Sequence, residues 1–329
     1  MGVLYALKDT DIMADLAGDV SLLAVPAEEY VELAFRNELI KEGKIQFLGG
    51  KQEFIRLGVF DDIDMNLMQH TFSSENEGND QIKATAASTN NGFIGQEIHF
   101  IGKESHAGGA PHKGINALNA ANIALAAINA QRDTFKETDY IRVHPIITKG
   151  GDLVNTVPAD VRVETYVRGS NVEGILDAAE KVTRSWKAGA MAMGAEVEIK
   201  TMPGYLPDKP DRNLVDVVYE NEVLIFGEDH VVKDAGHFTG SSDVGDVASI
   251  LPTIQASIGG VKGDFHSETY EMVDRDIAYL GAAKVLTLSI IDLLYDDASV
   301  AKKVVDEFKP LYTKEEYLET WGKIGKRFK

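Results

Sequence analysis

The stretch Phe93-Ile94-Gly95-Gln96-Glu97-Ile98-His99-Phe100-Ile101 reads as a β-strand, and the pattern of the next hundred residues decides the fold. Residues 114–131 are Ala-rich and carry Ile115, Leu118, Ile123, Leu125 and Ile128. That spacing predicts a helix with those five positions buried. Residues 140–148 and 161–167 alternate with period two, as half-buried strands do. Residues 172–194 are helical in pattern, and 195–201 read as a last strand. The order β-α-β-β-α-β is that of the ferredoxin-like split βαβ unit. Inserted whole, residues 92–204 would form a second domain of roughly 110 residues, an ordinary size.

The flanks, 1–91 and 205–329, are expected to form one α/β domain around it. Residues 1–18 carry a helical pattern through Leu4, Leu7, Ile12 and Leu16. Leu22-Leu23-Ala24-Val25 reads as a buried parallel strand, and Pro26-Ala27-Glu28-Glu29 comes directly after it. Residues 29–58 read as helix broken at Gly49-Gly50. A short strand over 64–68 is ended by His70, and the polar stretch 71–91 reads as loop. After the connection 203–210, residues 214–226 read as helix, 240–246 as a Ser/Gly/Asp loop and 253–258 as a strand. An apolar helix is expected over 278–295 and an amphipathic tail over 298–329.

Composition narrows the classes of function. The chain has 329 residues, 44% hydrophobic and 8% aromatic, which permits a proper core. A formal net charge of −19 argues against nucleic acid or an anionic membrane surface as partner. No apolar stretch reads as long enough to span a bilayer. No basic region followed by an apolar one opens the chain, so a cytoplasmic location is the default expectation. Cysteine is absent, which excludes disulfides and thiolate ligands within this chain.

Glu28 and Glu29 are the first chemical signal. Two adjacent carboxylates are costly unless they share a cation or a proton. Each of Glu28-Glu29, His70 and His266 is expected just past the carboxyl end of a strand, where open α/β sheets bind ligands. Carboxylate plus imidazole suits zinc, manganese or cobalt. One carboxylate of the pair would then be ligand and the other general base on a metal-bound water. Taken singly, a Glu-Glu pair is most often solvated and a His beside a strand most often structural. In the inserted domain, His106 lies among Gly108, Gly109 and Pro111, Asn155 precedes Thr156-Val157-Pro158, and Arg168 ends an alternating strand. Each has an ordinary reading as turn or edge residue. A functional reading has Arg168 clamp a substrate carboxylate while His106 and Asn155 donate to an oxyanion. No His-Glu-x-x-His, P-loop or G-x-S-x-G motif is present.

Together these residues resemble the M20 metallopeptidase/amidohydrolase family, in its aminobenzoyl-glutamate and N-acyl-amino-acid hydrolase branch. The matching pieces are collinear. They begin with Pro26-Ala27-Glu28-Glu29, Gly58-Val59-Phe60 leading to His70, and Ser105-His106-Ala107-Gly108-Gly109-Ala110-Pro111. They continue with Asn155-Thr156-Val157-Pro158, Ser241-Ser242-Asp243-Val244-Gly245-Asp246-Val247 and His266. The resemblance implies a zinc-peptidase-like catalytic domain interrupted by a ferredoxin-like lid through which homodimers form. It implies two divalent metals, zinc or manganese, and an N-acyl amino acid or dipeptide as substrate. Glu28 would be general base, and Glu29, His70 and His266 metal ligands. His106 would reach a partner's active site, and Asn155 and Arg168 would hold substrate.

The match departs in one place. Family members carry, ahead of the Pro-Ala-Glu-Glu segment, a Cys- or His-containing motif that supplies the remaining metal ligands. Met1-Gly2-Val3-Leu4-Tyr5-Ala6-Leu7 resembles the helix after that motif, and no histidine precedes His70. The expectation is a catalytic domain incomplete at its N-terminus. The alternative to an active hydrolase is therefore a truncated, inactive form or a non-catalytic partner subunit that binds metal poorly.

Overall fold

A computed structural model describes residues 1–30, 32–73 and 81–328. The first flank opens with α1 (Gly2–Asp9), then runs through an irregular stretch to α2 (Leu33–Lys41) and α3 (Gly50–Leu57). The helical reading of 29–58 thus holds for 33–41 and 50–57, and 42–49 between them is not helical. The strand expected at 22–25 is absent: the segment pairs with no neighbour among the described residues and leaves Leu22 51% exposed. An apolar run can lie in a loop as well as in a strand, and pattern alone supplies no pairing partner.

The strand β1 (Asn66–Ser73) is longer than expected. Buried Phe72 continues the inward alternation, so His70 lies inside the strand, opposite Ser257, and not beyond its end. The stretch read as loop contains two short strands, β2 (Ala84–Thr85) and β3 (Thr89–Asn90); its residues 74–80 lie outside the described residues.

The segment after Asn91 forms a self-contained antiparallel sheet. β4 (Gly92–Ile101) leads to α4 (Ala117–Gln131), β5 (Arg142–Val143), β6 (Ile146–Lys149), β7 (Asp160–Gly169), α5 (Val172–Met193) and β8 (Glu196–Pro203). β4 pairs with β7 from Gly92↔Gly169 to Ile101↔Asp160, and with β8 from Ile94↔Pro203 to Ile101↔Glu196. The spatial order β5-β7-β4-β8, with β6 also on β7, is the split βαβ arrangement. Period-two alternation points Ile94, Ile98, Phe100, Val161, Val163 and Val167 at the two helices.

Helix α4 buries Ala117, Ala120, Ala121, Ala124 and Ile128. Leu118 and Leu125 are only partly buried and Ile123 is 40% exposed, contrary to the expected apolar stripe. The reason is the closeness of α5. A Cβ on Gly189 would stand 2.4 Å from the Ala120 carbonyl oxygen, so only small side chains fit the seam. Trp186, fully buried on α5, donates its Nε1–H to Gln96 Oε1 at 3.2 Å.

The second flank adds α6 (Arg212–Phe226), β9 (Val231–Val232), β10 (His237–Phe238), α7 (Val244–Ala248), β11 (Thr253–Lys262), β12 (Glu271–Met272), α8 (Ala282–Glu307) and α9 (Lys314–Glu319). Its sheet has the order β1-β11-β2-β9 and is mixed: β1 runs parallel to β11, which is antiparallel to β2. Ile254 and Ala256 of β11 pack under Leu214, Val215 and Val218 of α6 and Val285 and Leu293 of α8. The helical stretch Asp276–Glu307 is long and apolar enough by composition to cross a membrane, which the sequence reading did not anticipate. It is interrupted at Tyr295, Asp296, Asp297 and Ala298 and contributes buried Val285, Leu293 and Val304 to the core.

Candidate active site

Glu28 and Glu29 sit on the irregular segment ahead of α2, and the backbone there is anchored. The Tyr205 hydroxyl donates to the Glu28 carbonyl. The Gly50 N–H donates to the Ala27 carbonyl at 2.9 Å. A Cβ on Gly50 would stand 2.3 Å from that oxygen, so a glycine is needed where α3 begins. Arg36 Nη1 donates to the Glu29 carbonyl at 2.6 Å.

Behind the pair lies a buried polar layer. Lys51 Nζ is 2.5 Å from Asp243 Oδ1, with side chains 8% and 0% exposed. The Lys51 N–H also donates to Asp243 Oδ2. One turn into α7, Asp246 accepts from the Tyr317 hydroxyl at 2.8 Å and from Gln52 Nε2 at 3.1 Å. Burial pushes the Asp246 carboxyl up to about 8, so it holds its proton at neutral pH. Tyr30 donates to the Pro203 carbonyl and meets Tyr205 edge-on at 4.9 Å.

This layer sets the character of Glu28. Burial, with the Asp243 carboxylate as the next cause, raises its pKa above the ordinary value, and the Lys51 ammonium offsets part of that. A carboxyl with raised proton affinity is suited to take and return a proton near neutral pH.

Glu29 and His266 meet: His266 Nε2 is 3.4 Å from Glu29 Oε1. His266 stands in a loop at φ 60°, and its side chain is 74% exposed. The His70 ring is 5.8 Å from that of Phe265, the neighbour of His266, but its Nδ1 is 2.6 Å from the Thr71 carbonyl. Among the described residues no group of three or more His, Asp or Glu side chains could hold a metal ion. The expected triad of Glu29, His70 and His266 is therefore not assembled. A metal centre takes three or four protein ligands, and these residues do not fit one. His70 lies in mid-strand with its Nδ1 at the Thr71 carbonyl, and His266 lies on a turn.

In the inserted unit, Gly108 and Gly109 donate their N–H groups to His106 Nδ1 at 3.2 and 2.9 Å. Nδ1 accepts, so neutral His106 carries its proton on Nε2, and the exposed ring can donate it. The Ala107 N–H donates to the Asn155 carbonyl at 2.9 Å, which brings the two loops together. The Asn155 residue is exposed.

Arg168 reaches across to the second flank. Its Nη1 donates to Ser241 Oγ at 2.8 Å and its Nε to His144 Nε2 at 3.2 Å. The guanidinium lies 5.2 Å from the Phe93 ring centroid and 5.5 Å from that of Tyr166. Among the described residues it has no carboxylate partner. A cavity of about 930 Å³ between α5 and the C-terminal segment, lined by Leu176, Lys209, Phe308 and Arg327, touches none of these side chains.

The sequence pointed to Glu28, Glu29, His266 and Arg168, and to the run holding Asp243 and Asp246. It missed Lys51, Tyr30, Tyr205 and His144. Nothing in a Gly-Gly-Lys-Gln stretch marks its lysine as buried, and the pairing with Asp243 spans most of the chain.

Comparison with known proteins agrees with this architecture. Residues 88–187 match the peptidase dimerisation domain of the M20 family. The chain is 29% identical over 280 residues to a Xaa-Arg dipeptidase of Mus musculus, covering 83% of this chain and 62% of that protein. It is 27% identical over 183 residues to one of the p-aminobenzoyl-glutamate hydrolase subunits of Escherichia coli, covering 52% and 36%. The chain thus spans less than two thirds of the length of these relatives. Among solved structures, an aminobenzoyl-glutamate utilization protein from Klebsiella pneumoniae superposes with a TM-score of 0.62 at 18% identity, covering 91% of this chain and 65% of that one. A dinuclear metal-binding peptidase of the M20 family from Bacillus subtilis gives 0.62 at 18%, covering 89% and 69%. The resemblance to the M20 family read from the motifs is borne out.

Proposed function

We propose that this chain is part of a metal-dependent amidohydrolase that cleaves the amide bond of an N-acyl or N-aroyl amino acid or a small peptide. The observation that carries the reading is the Glu28 carboxyl, held above its ordinary proton affinity by burial and Asp243, next to the Glu29–His266 pair. The names of the similar proteins, a dipeptidase and an aminobenzoyl-glutamate hydrolase, support the substrate class. Glu28 takes a proton from the attacking water and returns it to the leaving amine. The lid residues His106, through Nε2–H, and Asn155 stabilise the oxyanion, and Arg168 receives the substrate carboxylate. A metal, zinc or manganese, would call for ligands beyond Glu29, His70 and His266, which do not converge on one centre in this structure.

Dimerisation through the lid is part of the proposal. Ile146 and Ile147 on β6 are 60% and 41% exposed, and Leu153 and Val154 on the next loop are 65% and 99% exposed. An apolar sheet edge of this kind suits a second copy.

Hydrolysis of a panel of N-acyl amino acids, with and without Mn²⁺ or Zn²⁺, tests the reading. Glu28→Gln is expected to lower turnover by ~10²–10⁴-fold, with the melting temperature unchanged or slightly raised. Equal turnover by this variant would sink the assignment of the base. A second reading is a non-catalytic partner subunit, favoured by the failure of three ligand side chains to converge. Two tightly held metals per chain by elemental analysis would exclude it.

A further inference from the structure

We propose that His144 is a positioning residue: its imidazole holds the Arg168 guanidinium in the orientation that receives a substrate carboxylate. This rests on the reading of Arg168 as carboxylate clamp given above. A half-buried guanidinium with no anionic partner among the described residues is uncompensated by them, and an anionic ligand would supply the missing charge. Two neutral acceptors fix it meanwhile. His144 Nε2 takes the Nε–H and Ser241 Oγ takes one Nη1 proton. The Phe93 and Tyr166 rings flank the guanidinium. Among the described residues this leaves Nη2 and the second Nη1 proton, the end-on fork that pairs with carboxylate in two parallel bonds.

His144 can play this part only when Nε2 is bare. Its ring stands edge-on to Tyr166 with centroids 6.0 Å apart. The charged and titratable groups acting on it are Arg168 and Tyr166 on β7 and Arg132 after α4. No carboxylate does so among the described residues. Burial, and after it the Arg168 charge, lowers its pKa from the ordinary imidazole value. The acceptor is therefore present above that lowered pKa and is lost as pH falls through it. Protonated His144 would both release the Arg168 Nε–H and repel the guanidinium.

Calorimetric titration with hippurate between pH 5 and pH 8 tests this, with the uncharged amide of hippurate as control. His144→Ala is expected to weaken hippurate binding about 10-fold at pH 8 and to leave the amide control unmoved. His144→Gln offers an amide oxygen that accepts but does not titrate. It is expected to bind within about twofold of wild type at pH 8 and to lose the acid fall in affinity. Wild-type binding that is insensitive to His144→Ala at every pH overturns the positioning role and leaves the carboxylate clamp standing. Hippurate binding that is indifferent to Arg168→Ala overturns the clamp, and this proposal with it.

Discussion

The inserted sheet and the neighbourhood of Glu28 are built by opposite means. In the inserted unit, β4 pairs with β7 and β8, and α4 packs on α5, all within one continuous stretch. Around Glu28 the polar contacts that close the layer come from distant parts of the chain: Tyr205 to Glu28, Lys51 to Asp243, Gln52 and Tyr317 to Asp246. The first region is stabilised by apolar burial that any window of sequence displays. The second is a layer of buried polar groups whose cost is offset only when all partners arrive. A fault in the sheet should lower stability without touching chemistry, whereas a fault in the polar layer should do both.

That contrast can be broken at several points. Trp186→Ala empties the centre of the inserted unit and should cost roughly 3–5 kcal/mol in urea denaturation, with hippurate affinity retained wherever the protein stays folded. An unchanged midpoint would mean that the ring does not carry the unit. Lys51→Met leaves Asp243 buried without its cation and should cost about 3 kcal/mol. The double variant with Asp243→Leu should recover most of that loss, and failure to do so would show that packing, not charge, holds α3 to α7.

Asp246 gives a pH test of the same layer. Its folded pKa of about 8 lies above the ordinary 3.8, so its contribution to stability is full below the unfolded pKa. That contribution falls as pH rises from about 4 to about 8. Unfolding free energies at pH 5 and pH 8 should show this decline, and Asp246→Asn should flatten it. A slope unchanged by the variant would assign the decline to other groups. The smallest effect is expected at the exposed Arg327–Glu180 pair, where Arg327→Ala should cost less than about 1 kcal/mol.

The same difference explains what the sequence disclosed. The order of elements in 93–201 was legible because alternation and helical spacing report burial locally. The buried stripe of α4 was misjudged because alanines, not leucines, line a seam closed by Gly189. The apolar run at 22–25 was read as a strand because pattern carries no information about a pairing partner. His70 was placed past its strand because its polar flank hid buried Phe72. Glu28, Glu29 and His266 were singled out as chemical types, and Glu29 does meet His266. The ligand set as a whole was not found, because convergence depends on loop conformation such as the positive φ of His266.

The two passes that join the inserted unit to its host touch each other. A Cβ on Gly92 would stand 2.5 Å from the Tyr205 carbonyl oxygen, one on Gly204 2.2 Å from that of Phe93, and the Phe93 N–H donates to the Tyr205 carbonyl at 2.8 Å. The unit therefore enters and leaves through one narrow gate. A segment whose ends lie side by side can be lifted out and its host rejoined by a short bridge, or transplanted between adjacent strand ends of another protein. On that view the two glycines mark a seam along which the molecule could be recombined.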